Sequence, residues 1–215
     1  MRLAGLFVAL SVSASAHAEE PLWDPGEPTT SRVKGEIVRP RGGVGDGVHG
    51  RFEGDLDLGL GLGVTTADGD ALGAARLSLH YFSTLGVYGG YADALGRDAA
   101  ARRIASFGVD LRPLFLLRWS QDAEQGPATL DLFVDSLSLG AGGFLAEPPG
   151  RAFGDARGLE LSLGAGLPLA GDAAGPWLEG RYLYRWHDPG GDSSGEHALL
   201  AVLSWHALFL SALVE

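Results

Sequence analysis

Hydrophobic residues alternate with polar residues or glycine along most of the chain after residue 50. The stretch DLDLGLGLGV, residues 55–64, has leucine or valine at every second position, with aspartate or glycine between them. Residues 159–169, LELSLGAGLPL, repeat this pattern. Successive side chains of a strand point to opposite faces, so a period of two predicts β-strands with one apolar face. Further strands are predicted at 71–82, 85–93, 102–119, 128–141, 176–187 and 197–212, which makes eight strands in all.

Two of the predicted strands contain an irregularity. Pro113 lies inside the fourth segment, and a closed sheet has no free edge for a proline, so we expect a bulge or a strand end there. The alternation changes register near Asp135, which predicts a second bulge in the fifth segment.

The connections between the predicted strands fall alternately on two sides of the sheet. With the N-terminus on the inner side, the outer connections are 66–70, 94–101, 142–156 and 188–196, and the inner ones are 83–84, 120–127 and 170–175. The outer connections are longer as a group. This asymmetry is typical of outer-membrane barrels.

The apolar face of these strands suits a lipid environment. Several segments have 10 residues or more, close to the 9–11 that a tilted strand needs to cross the hydrocarbon. The opposite face carries glycine, acids and arginines, and aromatic residues gather near segment ends. The pattern therefore predicts an all-β fold, a closed antiparallel up-and-down transmembrane β-barrel with outward-facing leucines. The alternative is an exported soluble β-protein, such as a lipocalin-like binding barrel, with the same leucines pointing inward.

The first 50 residues differ in character from the rest. Residues 1–18 combine Arg2, an apolar stretch and the small-x-small triplet Ala16-His17-Ala18, which predicts a signal peptide cleaved after Ala18. Residues 19–50 are rich in proline and glycine and predict a flexible periplasmic tail. Export and barrel pattern together indicate the outer membrane of a Gram-negative bacterium, with the barrel at 51–215.

Composition excludes several classes of function. The net charge is −11 and basic runs are absent, so nucleic acid is not an expected partner. The chain has no cysteine, which excludes disulfides and thiolate metal sites. The six histidines are scattered, and carboxylates do not occur at EF-hand spacing, so we expect no metal and no cofactor.

Alternation, strand number and export together resemble the small eight-stranded bacterial outer-membrane barrels, the class of the OmpA membrane domain. The resemblance covers about residues 51–215 and rests on no specific motif. It implies outer-membrane lipids and the outer-membrane assembly machinery as partners. Members of this class commonly end in an aromatic residue, whereas the last aromatic residue of this chain is Phe209 in LFLSALVE.

An eight-stranded barrel has an interior that side chains fill, so an open porin-like pore is not expected. Buried charges persist when they are paired, which predicts an ion-pair network in the lumen. A narrow gated ion path along the same groups is the alternative. The predicted network comprises Glu53, Asp55, Asp57, Arg76, Asp110, Arg112, Arg118, Asp131, Glu160, Glu179, Arg181 and Arg185.

One group of residues suggests an enzyme that acts on lipids. Ser204 and His206 lie two positions apart on one strand face, and Glu179 on the preceding strand is placed to orient the imidazole. Outer-membrane lipid A deacylases have a similar set in the order His-x-Ser, which is reversed here. We therefore expect a barrel of structural or interaction type, with a lipid-modifying acyl hydrolase as the alternative.

Overall fold

The computed structural model describes residues 51, 54–67, 69–95, 101–121, 127–187 and 195–210. The predicted signal peptide, the predicted tail and Glu53 lie outside the described residues. Within the described ranges, no helix is long and apolar enough to cross a membrane.

Eight antiparallel strands form a closed barrel in sequence order. The strands are β1 (Leu56–Ala67), β2 (Asp70–Tyr81), β3 (Leu85–Ala94), β4 (Arg103–Leu111), β5 (Ser138–Glu147), β6 (Ala156–Pro168), β7 (Gly175–His187) and β8 (Gly195–Phe209). Pairing of β1 with β8, with Leu60 opposite Trp205, closes the sheet. The predicted all-β, up-and-down barrel is confirmed, and so is the fold implied by the resemblance to small outer-membrane barrels.

The alternation in the sequence becomes an alternation between the exterior and the interior of the barrel. On β1, Leu60 and Leu62 are 61% and 68% exposed, whereas Asp57 is 3% exposed. The other strands follow the same rule. Large apolar side chains on the exterior include Val64, Leu77, Leu79, Val87, Phe107, Val109, Leu139, Leu161, Leu163, Leu199 and Leu203.

Two helices replace strand structure that the sequence pattern predicts around Pro113 and Asp135. Helix α1 (Pro113–Ser120) and helix α2 (Ala128–Asp135) lie between β4 and β5. Strand β4 ends at Leu111, which confirms the predicted strand end, and Pro113 opens α1, where its missing N–H costs nothing. The predicted strand at 113–119, the strand at 128–137 and the bulge at Asp135 are wrong.

The spacing of buried residues explains why α2 is a helix. The stretch ATLDLFVD alternates in polarity, but its buried residues are Ala128, Asp131, Leu132 and Asp135, at helical spacing. A short segment thus satisfies both periods, and the helical one places Leu132 and both acids on one buried face.

The helices change the lengths of the connections at the two ends of the barrel. We call the end with α1 and α2 the inner end and the opposite end the outer end. The inner connection 112–137 is longer than each outer connection, 68–69, 95–102, 148–155 and 188–194. The expectation that the inner connections are the shorter set is therefore wrong for the connection between β4 and β5. The prediction that an outer connection begins at residue 142 is also wrong, because β5 extends to Glu147.

Apolar side chains close the interior at both ends. A buried cluster at the outer end joins Leu72, Ile104 and Phe144 with Ala67, Ala92 and Ala146. A second cluster at the inner end joins Leu132 of α2 with Ala173 and Trp177. The space between the two clusters holds the charged residues of the lumen.

Glycine on the inner face of β1 makes room for these larger groups. A Cβ atom at Gly59 would lie 2.6 Å from the Ser78 hydroxyl oxygen and 3.1 Å from Cε1 of His206. The change from aspartate to glycine along β1 therefore marks where side chains from other strands fill the lumen.

We expect Gly59→Val to lower the free energy of unfolding by about 1–3 kcal/mol, because the added side chain overpacks the lumen. Urea unfolding in detergent micelles measures this change. Gly180→Val is the matched control, since Gly180 faces outward on β7 and a Cβ there meets no atom within 4 Å. Equal stability of the two variants would contradict a crowded lumen.

Candidate functional site

The lumen contains a layer of charged residues between the two apolar clusters. Strands β1, β2, β4, β6 and β7 contribute inward-facing residues to this layer, and Asp55 and Arg112 lie directly before β1 and after β4. The predicted network residues that are buried there are Asp55, Asp57, Arg76, Asp110, Arg112, Glu160, Glu179, Arg181 and Arg185.

Asp110 on β4 is the centre of this layer. Arg181 on β7 donates to both carboxylate oxygens, over 2.8 and 2.6 Å. His80 on β2 contacts the same carboxylate, with Nε2 3.1 Å from Oδ2. Arg181 also donates to the hydroxyl of Ser162, over 3.2 Å. One fully buried acid thus connects three strands across the barrel.

A second group lies nearer the inner end. The guanidinium of Arg112 donates to Asp57 over 3.0 Å, and Nδ1 of His206 lies 2.8 Å from the other oxygen of Asp57. Nε2 of His206 lies 3.0 Å from Glu179, and the Ser204 hydroxyl donates to the same oxygen. This group therefore links β1 with β7 and β8.

A third group lies toward the outer end. Arg185 donates to Glu160 over 2.8 Å, and the hydroxyl of Tyr88 donates to the other oxygen of Glu160 over 3.1 Å. The guanidinium of Arg76 lies 4.3 Å from the centre of the Tyr88 ring, a cation–π contact. Arg185 also lies 3.5 Å from Glu196 at the start of β8.

Two members of the predicted network belong to the helices and not to strands. Arg118 of α1 pairs with Asp131 and Asp135 of α2. Burial lowers the pKa of Arg118, but the hydrogen bonds to these carboxylates outweigh it and raise the pKa overall. The prediction that places Arg118 on strand four and Asp131 on strand five is therefore wrong, because the pair joins α1 to α2.

Several lumen residues were not expected from the sequence. His80 is fully buried and Tyr88 nearly so, and Arg51 lies over the rings of Phe115 and Trp177, 5.4 and 5.7 Å from their centres. His80 lies four residues after Arg76 on β2, so both side chains lie on the inner face of that strand. The period of two along β2 therefore indicates that His80 points into the lumen.

The candidate catalytic set is close together, but its hydrogen bonds differ from those of a nucleophile and a base. The Ser204 hydroxyl donates to Glu179 and not to the imidazole. Both ring nitrogens of His206 face carboxylate oxygens, so neither has a lone pair directed at the serine. Activation of a serine by a base requires a hydrogen bond between Ser204 and His206, and the structure shows each of them bonded to carboxylates instead.

The lumen cavities lined by described residues are small. The cavity between Arg76, Glu160 and Arg185 has a volume of about 20 Å³, which is room for about one water molecule. Among the described residues, no three histidines or acids are grouped in a way that could hold a metal ion.

We expect Asp110→Asn to lower the free energy of unfolding by about 3 kcal/mol or more, because it leaves the buried guanidinium of Arg181 without its counter-charge. Urea unfolding in micelles measures this loss. Asp93→Asn is the control, since Asp93 is exposed on β3 and its replacement should change stability by about 0.5 kcal/mol or less. A small loss of unfolding free energy in Asp110→Asn would show that the pair of Asp110 and Arg181 adds little to stability.

We expect Arg118→Met to loosen the helix pair while the barrel stays intact, because Arg118 connects both helices. Hydrogen exchange of α1 and α2 amides should become about tenfold faster, with no change in the strands. Arg151→Met, in the exposed connection 148–155, is the control. Unchanged exchange in both helices would contradict this role.

No family model matches the chain, and no curated protein matches it in sequence. A search of solved structures finds similarity to the crystal structure of the N-terminal β-barrel domain of Pseudomonas aeruginosa OprF. The two chains are 9% identical, with a TM-score of 0.46, and the match covers 72% of this chain and 99% of the OprF domain. The architecture of the present barrel rests on its own strand pairing.

Proposed function

We propose that this chain is an integral outer-membrane β-barrel of structural or interaction type, with a side-chain-filled lumen that does not conduct. The observation that carries the proposal is the direction of the two strand faces. Leucines cover the exterior of a closed barrel, and the ion pairs lie inside.

The exterior supports a lipid environment. Burying apolar surface is worth about 25 cal/mol per Å², so a barrel wall of exposed leucines is unfavourable in water. Hydrocarbon offers no hydrogen bonds to the backbone, and a closed sheet needs none. A soluble lipocalin-like barrel requires the opposite orientation, with an apolar interior around its ligand.

Aromatic side chains on the exterior agree with two membrane interfaces. Tyr81 lies at the inner end of β2, and Tyr91 and Trp186 lie near the outer ends of β3 and β7. All three are exposed, at 42%, 45% and 39%. Tyrosine and tryptophan are enriched where the hydrocarbon meets the headgroups.

The interior supports a non-conducting barrel. Asp57, Asp110 and Glu160 are each paired with an arginine, and apolar clusters lie on either side of these pairs, so an ion would have to break pairs and cross both clusters. The geometry at Ser204 supports the structural role over acyl hydrolysis. Any recognition is then a property of the exterior and the connections.

The end of the last strand supports a role for Phe209 in assembly. Strand β8 ends at Phe209, and its side chain is exposed on the exterior. In small outer-membrane barrels an aromatic residue at the end of the last strand helps the assembly machinery to recognise the chain. Phe209 takes this role in the proposed function.

We expect the chain to fractionate with the outer membrane and to migrate differently on SDS gels before and after heating, because a folded membrane barrel resists SDS until heated. Recovery of the protein in a detergent-free soluble extract would contradict membrane insertion. Asp93→Asn is a control, since it should leave the shift unchanged.

We expect no stable single-channel current when the folded protein is inserted in planar bilayers in 1 M KCl, because the lumen is filled. Currents of constant unit size that depend on the protein would contradict the filled lumen. They would then favour a gated ion path along the charged layer. Folded protein is verified beforehand by the heat-dependent gel shift.

A further inference from the structure

The helix pair at the inner end of the barrel exposes large apolar side chains. Leu130 and Phe133 of α2 and Leu137, just after it, are exposed and follow one another at intervals of three and four residues. Residues at this spacing lie on one side of a helix, and the N–H of Leu137 still donates to the carbonyl of Val134 as in a helical turn. On α1, Leu116 and Leu117 are exposed as well. We call these five leucine and phenylalanine residues the helix face.

The helix face carries no charge. The charged residues of the two helices are Arg118, Asp131 and Asp135, and they pair with one another while both acids are buried. The described residues of α1 and α2 that are exposed are all uncharged, namely Pro113, Leu116, Leu117, Ser120, Thr129, Leu130 and Phe133. Exposed apolar patches mark sites of contact with a protein or a membrane.

The inner rim of the barrel is not level. The strand registers give a row of neighbouring residues that leads from β1 to β5 through Leu56, Tyr81, Leu85, Leu111 and Leu139. Barrel strands tilt by about 40° and lie about 4.8 Å apart, so each step along such a row moves about 3 Å along the barrel axis. Leu139 therefore lies roughly 12 Å from Leu56 along this axis.

The registers also give the direction of this shift. Continued from Ser138 on β5, the rows lead back to β1 through Gly164, Arg181, Leu200 and Thr65. Thr65 lies near the outer end of β1, so the rows move towards the outer end on the way from β1 to β8. The inner rim is therefore set back at β4 and β5, which end at Leu111 and begin at Ser138.

Helices α1 and α2 follow and precede this recess directly in the chain. A helix is about 10 Å across, which matches a recess of roughly 12 Å. Helix α2 packs against β6, and its Leu132 points inward to Trp177. Leu130 lies two residues from Leu132 and hence on the opposite side of the helix, away from the lumen.

The helix face continues the apolar exterior of the barrel. Leu137 comes two residues before Leu139, which is exposed on the outside of β5. Beside the recess, β6 and β8 extend further towards the inner end, and the exterior there is still apolar at Leu169 and Phe209. The helices thus lie at a level where neighbouring strands still present apolar side chains.

We propose that the helix face is inserted into the inner leaflet of the membrane, at the boundary between phospholipid headgroups and acyl chains. Amphipathic helices bury their apolar face about 5–10 Å deep at this boundary. The inference rests on the proposed membrane location and deepens it, because it makes phospholipid a binding partner of the helix pair. Lipid then holds from outside the same helices whose Leu132 covers the lumen from inside.

The test measures the depth of single spin labels in the full-length chain, reconstituted in vesicles of phosphatidylethanolamine and phosphatidylglycerol. The chain has no cysteine, so each introduced cysteine is labelled alone. Leu130→Cys and Phe133→Cys probe the helix face, Leu62→Cys is the lipid reference and Arg151→Cys is the water reference. Electron paramagnetic resonance compares collisions with oxygen, which concentrates in lipid, and with a water-soluble nickel complex.

We expect the ratio of oxygen to nickel collisions at both helix positions to exceed that at Arg151→Cys by about threefold or more, because the labels lie in the interface. Adding Phe133→Glu to Leu130→Cys should lower this ratio towards the water reference, since a carboxylate opposes insertion. Ser120→Glu is the matched control. It adds the same charge to α1 outside the helix face and should leave the ratio unchanged.

The outcomes distinguish this inference from the proposed function. Each protein is first scored for the heat-dependent gel shift, and nickel access at Leu62→Cys overturns both proposals. A Leu62→Cys label in lipid together with nickel access at Leu130→Cys and Phe133→Cys overturns the helix face alone. Helix labels shielded from both reagents also overturn it, because they identify a protein contact as the occupant in place of lipid.

Discussion

The interior of a closed eight-stranded sheet has room for side chains only, and much of this structure follows from that constraint. A charged group that points inward cannot reach bulk water, so its partner must come from another strand. Asp110 meets this requirement with Arg181 and His80. The same crowding requires glycine at Gly59, beside Ser78 and His206. Pairing and crowding are therefore two results of one narrow lumen.

The inner end of the barrel is closed by a helix pair and not by a short turn. Leu132 of α2 packs on Trp177 and Ala173 and covers the charged layer from below. Arg118 joins α1 to α2 through two acids of α2. Since ion pairs are stronger where water is excluded, this apolar cover strengthens the pairs above it.

Period-two alternation predicts most of this fold. The two faces of a barrel strand lie in different surroundings, the lumen and the exterior, and successive residues face them in turn. It identifies the inward position of Asp57 and the outward position of Leu62. It fails at 113–135, where short segments satisfy strand and helix periods together and burial of Leu132 favours the helix. It also cannot assign pairs, because partners such as Asp110 and Arg181 are 71 residues apart.

The interior and exterior faces of the barrel wall are subject to different physical constraints. Inward positions are constrained by charge pairing and volume, and a change at one of them affects several partners. Outward positions only need to be apolar, so their size is free to vary. Small residues at Ala141 and Gly143 are not required by closure, since a Cβ at Gly143 meets only ordinary contacts. Features of the exterior that stability does not require are therefore where recognition is to be sought.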